Sequence, residues 1–212
     1  MSEFTLHARP GWGSAIVEAQ LAYYGLPFRI VDSGDLFDSE EAREKLEPLN
    51  PLIQVPVLVL PSGQVMTESA AMTLHLADLA GRDDLVPGVI AKERAAFLRW
   101  LVFLVANVYP TFTYADDPKR FVKTEGAGDA FRAEVDAYAK RLWGIVEGAC
   151  QAPWFLGERM SALDIYLAVM THWRPGAQWF AGNTPRIQAA AQKAAALDRL
   201  AAVMARNFPK KA

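Results

Sequence analysis

Between Asn50 and Leu79 the chain reads NPLIQVPVLVLPSGQVMTESAAMTLHLADL, and no other stretch limits the possible folds as much. Pro56 stands directly before the apolar run Val57–Leu60. A proline has no N–H to give to a sheet ladder, so it belongs at a strand's first residue or on an edge. The N–H and C=O of Val55 are then left to face something other than a neighbouring strand. Pro61-Ser62-Gly63 separates Val57–Leu60 from Gln64–Thr67, which signals a hairpin. Glu68-Ser69 opens the amphipathic helix Ser69–Ala80, and Gly81 closes it. Unpaired backbone N–H groups and the helix dipole favour an anion at such an opening. A strand edge beside a helix N-terminus suits an extended, carboxylate-bearing peptide.

The flanking sequence extends the pattern in both directions. Phe4–His7 and Phe28–Val31 read as strands on either side of the helix Ala15–Tyr24, which Ser14 is placed to cap and Gly25 to stop. Ser39–Leu46 is a Glu-rich surface helix. Strand, helix, strand, helix, hairpin and helix fill residues 1–80, which predicts a mixed sheet covered by helices. Arg82–Gly88, with Asp83, Asp84, Pro87 and Gly88, reads as a linker. Everything beyond it reads as helix: Val89–Tyr109, ended near Pro110, then Asp129–Ala149, Ser161–Trp173, Arg186–Ala196 and Leu197–Asn207. Thr184-Pro185 supplies a cap and a first-turn proline. Ser161-Ala162-Leu163-Asp164 is a capping box with Asp in place of Glu, and Met160 and Ile165 stand at the staple positions. Ser161 and Asp164 therefore read as a helix start, not a catalytic dyad. The apolar run Ile165–Met170 makes that helix central.

Composition excludes several classes. The 212 residues carry a net charge of −2 and no basic block, so nucleic acid is not an expected partner. Cys150 is the single cysteine; it allows no internal disulfide and suits a reducing compartment. Neither CxxC nor a His/Cys metal spacing occurs, so no metal is expected. The N-terminal residues lack a signal pattern, and the longest apolar run, Trp100–Ala106, is too short to span a membrane. A cytoplasmic protein is the expectation.

Taken together, Asn50-Pro51, Gln54-Val55-Pro56, Thr67-Glu68-Ser69-Ala70-Ala71 and Ser161-Ala162-Leu163-Asp164-Ile165, in this order and spacing, resemble the cytosolic glutathione S-transferases of bacterial type over essentially the whole chain. The resemblance implies an α/β thioredoxin-like domain over residues 1–81 with a mixed four-stranded sheet. It implies a linker at 82–88 and an all-α helical bundle over 89–212, with the site between the domains. It implies a cis Pro56 and a Val55 backbone paired with the cysteinyl part of glutathione, next to Gln54. Glu68 would take the γ-glutamyl ammonium, and Ser69 its carboxylate. Glutathione would be a co-substrate, with no further cofactor, and the protein a homodimer.

Transfer to an electrophile needs glutathione as its thiolate, and a free thiol has a pKa of about 8.5. Members of this family usually set a Tyr, Ser or Cys just after the first strand or at the start of the first helix. Here that segment is His7-Ala8-Arg9-Pro10-Gly11-Trp12-Gly13-Ser14, with no Tyr or Cys. Ser14 is its one hydroxyl and the expected catalytic residue, acting with the helix N-terminus. Trp12, Tyr109 and Phe112 are expected to line the pocket for a small apolar electrophile, with Tyr114 nearby. Arg9 reads as a loop cation or a neighbour of the pocket, His7 as a strand residue, and Cys150 as inert. Because Tyr and Cys are missing, a glutathione-binding module with little catalysis stays open. So does a glutathione-dependent peroxidase, isomerase or dehalogenase. A structural interaction domain that has lost glutathione is the third alternative.

Overall fold

In the computed structural model, which describes residues 3–209, Phe4, Leu6 and Ala8 alternate with half-buried Thr5 and His7 along strand β1 (Phe4–Ala8). This period-two pattern buries one face of β1. β1 pairs in parallel with β2 (Phe28–Asp32) and antiparallel with β3 (Val57–Val59), which pairs antiparallel with β4 (Val65–Met66). The sheet order is β2-β1-β3-β4. The crossover from β1 to β2 is α1 (Ser14–Tyr24), α2 (Glu40–Leu46) follows β2, and α3 (Ser69–Ala80) follows β4. This is the thioredoxin-like, mixed four-stranded sheet expected from the sequence.

Helix α1 is buried from Ser14 to Leu21, including Glu18 and Gln20. Gly25 ends it in the left-handed conformation, as Gly81 ends α3. Ser39 caps α2 by accepting from the Ala42 N–H at 3.1 Å. Ser14 does not cap α1: Gly13 holds that position, and Ser14 is the first helical residue.

The remaining helices are α4 (Arg94–Phe103), α5 (Tyr109–Asp116), α6 (Gly128–Ala149), α7 (Ala162–Met170), α8 (Ala177–Asn183), α9 (Pro185–Ala195) and α10 (Asp198–Asn207). The expected helix Val89–Tyr109 starts later and runs further. A π turn, Leu104–Val108, joins α4 to α5, with the Tyr109 N–H bonded to the Leu104 carbonyl. Pro110 thus falls at the start of a new helical segment, where its missing N–H costs nothing, instead of ending the helix. The continuous path Arg94–Asp116 is long and apolar enough, by length and composition alone, to cross a membrane. Phe97, Trp100, Leu101, Leu104, Val108 and Phe112 are nevertheless buried at intervals of one to four residues, as on a core-facing helix. Thr184 precedes Pro185 at the start of α9 as expected: its carbonyl accepts from the Gln188 N–H at 2.9 Å, while its hydroxyl donates to the Phe180 carbonyl at 2.9 Å.

The chain divides into two units. One joins the segment up to Val86 with the segment from Lys193 onward; the other spans Pro87–Gln192. This corrects the expected boundary of 89–212 for the second domain. Helix α10 belongs to the first unit because its buried residues Leu200, Val203, Met204 and Asn207 pack on α1.

In the second unit α7 is buried along its whole length. Its capping box forms, and the Asp164 carboxylate accepts from the Ser161 N–H and the Phe155 N–H, each at 2.8 Å. Burial pushes the Asp164 pKa up to about 6 against the pull of those donors. Asp164 therefore ties the loop before α7 to the helix start, a structural role. Asp164→Ala leaves two buried N–H groups unpaired and should lower unfolding free energy by about 2–4 kcal/mol. Ser161→Ala should cost about 1 kcal/mol. Denaturant midpoints of the two variants check both values.

Candidate functional site

Asn50, 6% exposed, organises the approach to Val55. Its Oδ1 accepts from the Leu52 N–H at 3.1 Å, and its Nδ2 donates to the Gln54 carbonyl at 2.9 Å. The turn between them holds Ile53 at φ 53°, a left-handed value rare for a β-branched residue. The Val55-Pro56 bond is cis. The ladder to β1 begins only at Val57, opposite His7. Among the described residues the backbone N–H and C=O of Val55 have no hydrogen-bond partner.

Val55 and the start of α3 flank the same end of the β3–β4 hairpin. The register pairs Leu58 with Met66 and Val59 with Val65. Val55 precedes β3 by two residues, and Glu68 follows β4 by two. Glu68 is exposed, holds φ 66° and makes no side-chain bond to the helix it precedes. It is therefore not a plain helix cap, and its carboxylate is left to meet a cation. Ser69 begins α3, and its carbonyl accepts from the Thr73 hydroxyl at 2.9 Å. Thr73 accepts in turn from Gln20 Nε2 at 3.0 Å, which anchors this turn to α1. Sequence periodicity places Gln20 and Thr73 on buried faces but carries no signal that they pair.

The segment from His7 to Ser14 forms a second group in the same unit. His7 lies mid-sheet, level with Val31 and Val57; burial, then Arg29, lowers its pKa, so the imidazole is uncharged near neutral pH. The Arg9 guanidinium lies 3.5 Å from Asp32 and 3.8 Å from Asp35, so its charge is shared between two carboxylates. Ser14 is fully buried. Its Oγ accepts from the Arg9 N–H and donates to the Arg9 carbonyl, both at 3.1 Å, closing the 9–14 loop. The Ala15 and Ile16 N–H groups bond to Trp12 and Gly13 carbonyls. Among the described residues the N–H groups of Gly13 and Ser14 have no such partner.

Trp12 packs within the first unit. Its ring lies 5.0 Å from Phe37, against a cluster of Leu36, Ala42, Leu46 and Val57 that also takes in Leu49, Ile53 and Val55. It supports the Val55 segment through apolar packing. Tyr109 and Phe112 belong to the second unit. Each stands edge-on to Trp173, at 5.7 and 5.1 Å, and they lie 6.0 Å from each other. Trp173 completes this aromatic trio, and its distance along the chain hides it from sequence reasoning. Burial raises the Tyr109 pKa, so the phenol keeps its proton. Tyr114 turns elsewhere, to Phe121 at 4.8 Å. Cys150 is buried and its thiol is pushed up to about 12, which leaves it inert. Among the described residues no His/Cys/Asp/Glu group could hold a metal ion.

Comparison with known proteins agrees with this geometry. Residues 14–79 match the family model described as the glutathione S-transferase N-terminal domain. The chain is 43% identical over 200 residues to the uncharacterized GST-like protein YncG of Escherichia coli K12, covering 93% of this chain and 95% of that one. It is 26% identical over 171 residues to glutathione S-transferase GstA of Escherichia coli O157:H7, covering 79% and 81%. A glutathione transferase homolog from Sulfitobacter, crystallised with bound glutathione, superposes with a TM-score of 0.83 at 25% identity, over 96% of this chain and 97% of that one. With its thioredoxin-like sheet, its Val55-Pro56 edge and its Glu68-Ser69 helix start, the chain belongs to the glutathione S-transferase family.

Proposed function

We propose that the protein binds glutathione and activates its thiol for attack on a small apolar electrophile. The observation that carries the reading is the unpaired Val55 backbone, at the end of the β3–β4 hairpin that leads into Glu68-Ser69 and α3. An extended peptide can take both hydrogen bonds of Val55 as an added strand does. Its carboxylate is then held by the Ser69 hydroxyl and N–H, and its ammonium by Glu68. Gln54 and Pro56 shape the edge on either side of Val55. The Sulfitobacter homolog, with glutathione bound on a similar fold, supports this assignment.

Activation rests on the start of α1. A thiolate there gains from the helix dipole and from the Gly13 and Ser14 N–H groups. The Ser14 O–H can join them by turning from the Arg9 carbonyl to the sulfur, because a hydroxyl has one proton to give. A second reading, glutathione binding with little catalysis, is favoured by one observation: Ser14 already uses that proton on Arg9.

Ultraviolet titration of the bound thiol separates the two readings. The transferase reading expects a bound thiol ionising well below about 8.5, and an unshifted value leaves only the binding module. Ser14→Ala should then cut turnover at neutral pH by about 10- to 100-fold while changing the KM for glutathione much less.

Retention on immobilised glutathione tests the cradle. Ser69→Ala and Glu68→Gln should each weaken it by about 10- to 100-fold. Glu68→Gly also releases the φ 66° strain. It should leave stability within about 1 kcal/mol of the parent while losing the same affinity. Retention unchanged in all three variants would remove the cradle.

A further inference from the structure

We infer that Asn207, the last residue of α10, is a positioning residue for the loop leading into α1, which makes this C-terminal helix a working part of thiol activation. The inference rests on the activation role proposed above for the start of α1. Asn207 is 6% exposed. Its Oδ1 accepts from the Gly11 N–H at 3.1 Å. Its Nδ2 donates to Glu18 Oε2 at 3.0 Å and to the Val203 carbonyl at 2.9 Å. One carboxamide therefore joins the 9–14 loop, the second turn of α1 and its own helix. A carboxamide offers on one planar group the acceptor that Gly11 needs and the donors that Glu18 and the Val203 carbonyl need.

Three further observations point the same way. Glu18 is 2% exposed, and its other oxygen is paired with Arg206, so a buried charge finds both partners on α10. Gly11 holds φ +79°, and a Cβ there would lie 3.3 Å from the Asn207 main-chain oxygen. The loop thus meets the end of α10 at a distance and in a conformation suited to glycine. The loop's other fixings include the Ser14 bonds to the Arg9 backbone, the Asp32 and Asp35 carboxylates facing its guanidinium, and the Trp12 ring against Phe37. Asn207 adds a side-chain hold at Gly11, between Arg9 and Trp12.

A reciprocal exchange tests this. Asn207→Asp keeps an acceptor for Gly11 but sets a carboxylate against Glu18. Adding Glu18→Gln restores one donor and one acceptor with the direction reversed. Three quantities are measured on the full chain: ionisation of bound glutathione, binding of S-methylglutathione, and hydrogen exchange at residues 11–14. The single variant should lower the ionised fraction and turnover at neutral pH by about three- to ten-fold, and raising the pH should recover turnover. Within 11–14, the hydrogen-bonded Gly11 and Trp12 amides should exchange at least about tenfold faster. S-methylglutathione affinity should stay within about twofold of the parent, because the cradle at Val55 and Ser69 is untouched. The double variant should return both changed quantities toward the parent. If the parent lowers the thiol pKa and Asn207→Asp leaves it equally low, this inference falls alone. If the parent itself leaves the thiol unshifted, the activation reading falls and takes this one with it. Unchanged exchange at residues 11–14 overturns the clamp whatever the thiol does.

Discussion

Three polar side chains buried on one helix set the terms for the rest of the first unit. Ser14, Glu18 and Gln20 of α1 are at most 2% exposed. A buried polar group costs free energy unless it is hydrogen-bonded, and a buried charge costs more. Each of the three finds its partner on a different piece of chain. Ser14 bonds to Arg9 at the end of β1, Gln20 to Thr73 and through it to the Ser69 turn, and Glu18 to Asn207 and Arg206 on α10. Satisfying α1 therefore fixes the loop before it, the helix proposed to hold the γ-glutamyl end, and the last turn of α10. Packing and site geometry come from the same hydrogen bonds.

The sequence discloses what depends on neighbours a few residues away. Gly25 and Gly81 as helix stops, the hairpin around Ser62-Gly63, the capping box at Ser161 and the proline before β3 are local chemistry, and each stands where local rules put it. Pairings between distant residues are not disclosed. The pattern of α10 shows a buried face at Leu200, Val203 and Met204 but not that α1 covers it. The same limit hides that Trp12 rests on Phe37 and that Trp173 joins Tyr109 and Phe112. Pro110 shows a local rule overruled: the π turn before it shifts the hydrogen-bond register, and helix continues where proline ordinarily ends it.

The two positive-φ residues other than glycine bear on whether Glu68-Ser69 is a site or merely a helix start. They are Ile53 and Glu68 among the described residues. Each costs of order 1–3 kcal/mol and persists only where the surroundings hold it. Ile53 stands two residues before Val55, held by its N–H bond to the Asn50 carbonyl and by the Asn50 side chain bridging Leu52 and Gln54. Glu68 stands beside Ser69, held by the Met72 N–H on its carbonyl. The start of α2 differs: Ser39 is extended there, and its side chain caps the helix. Strain kept on both sides of one unpaired backbone edge, with a carboxylate that caps nothing, fits a surface shaped for another molecule.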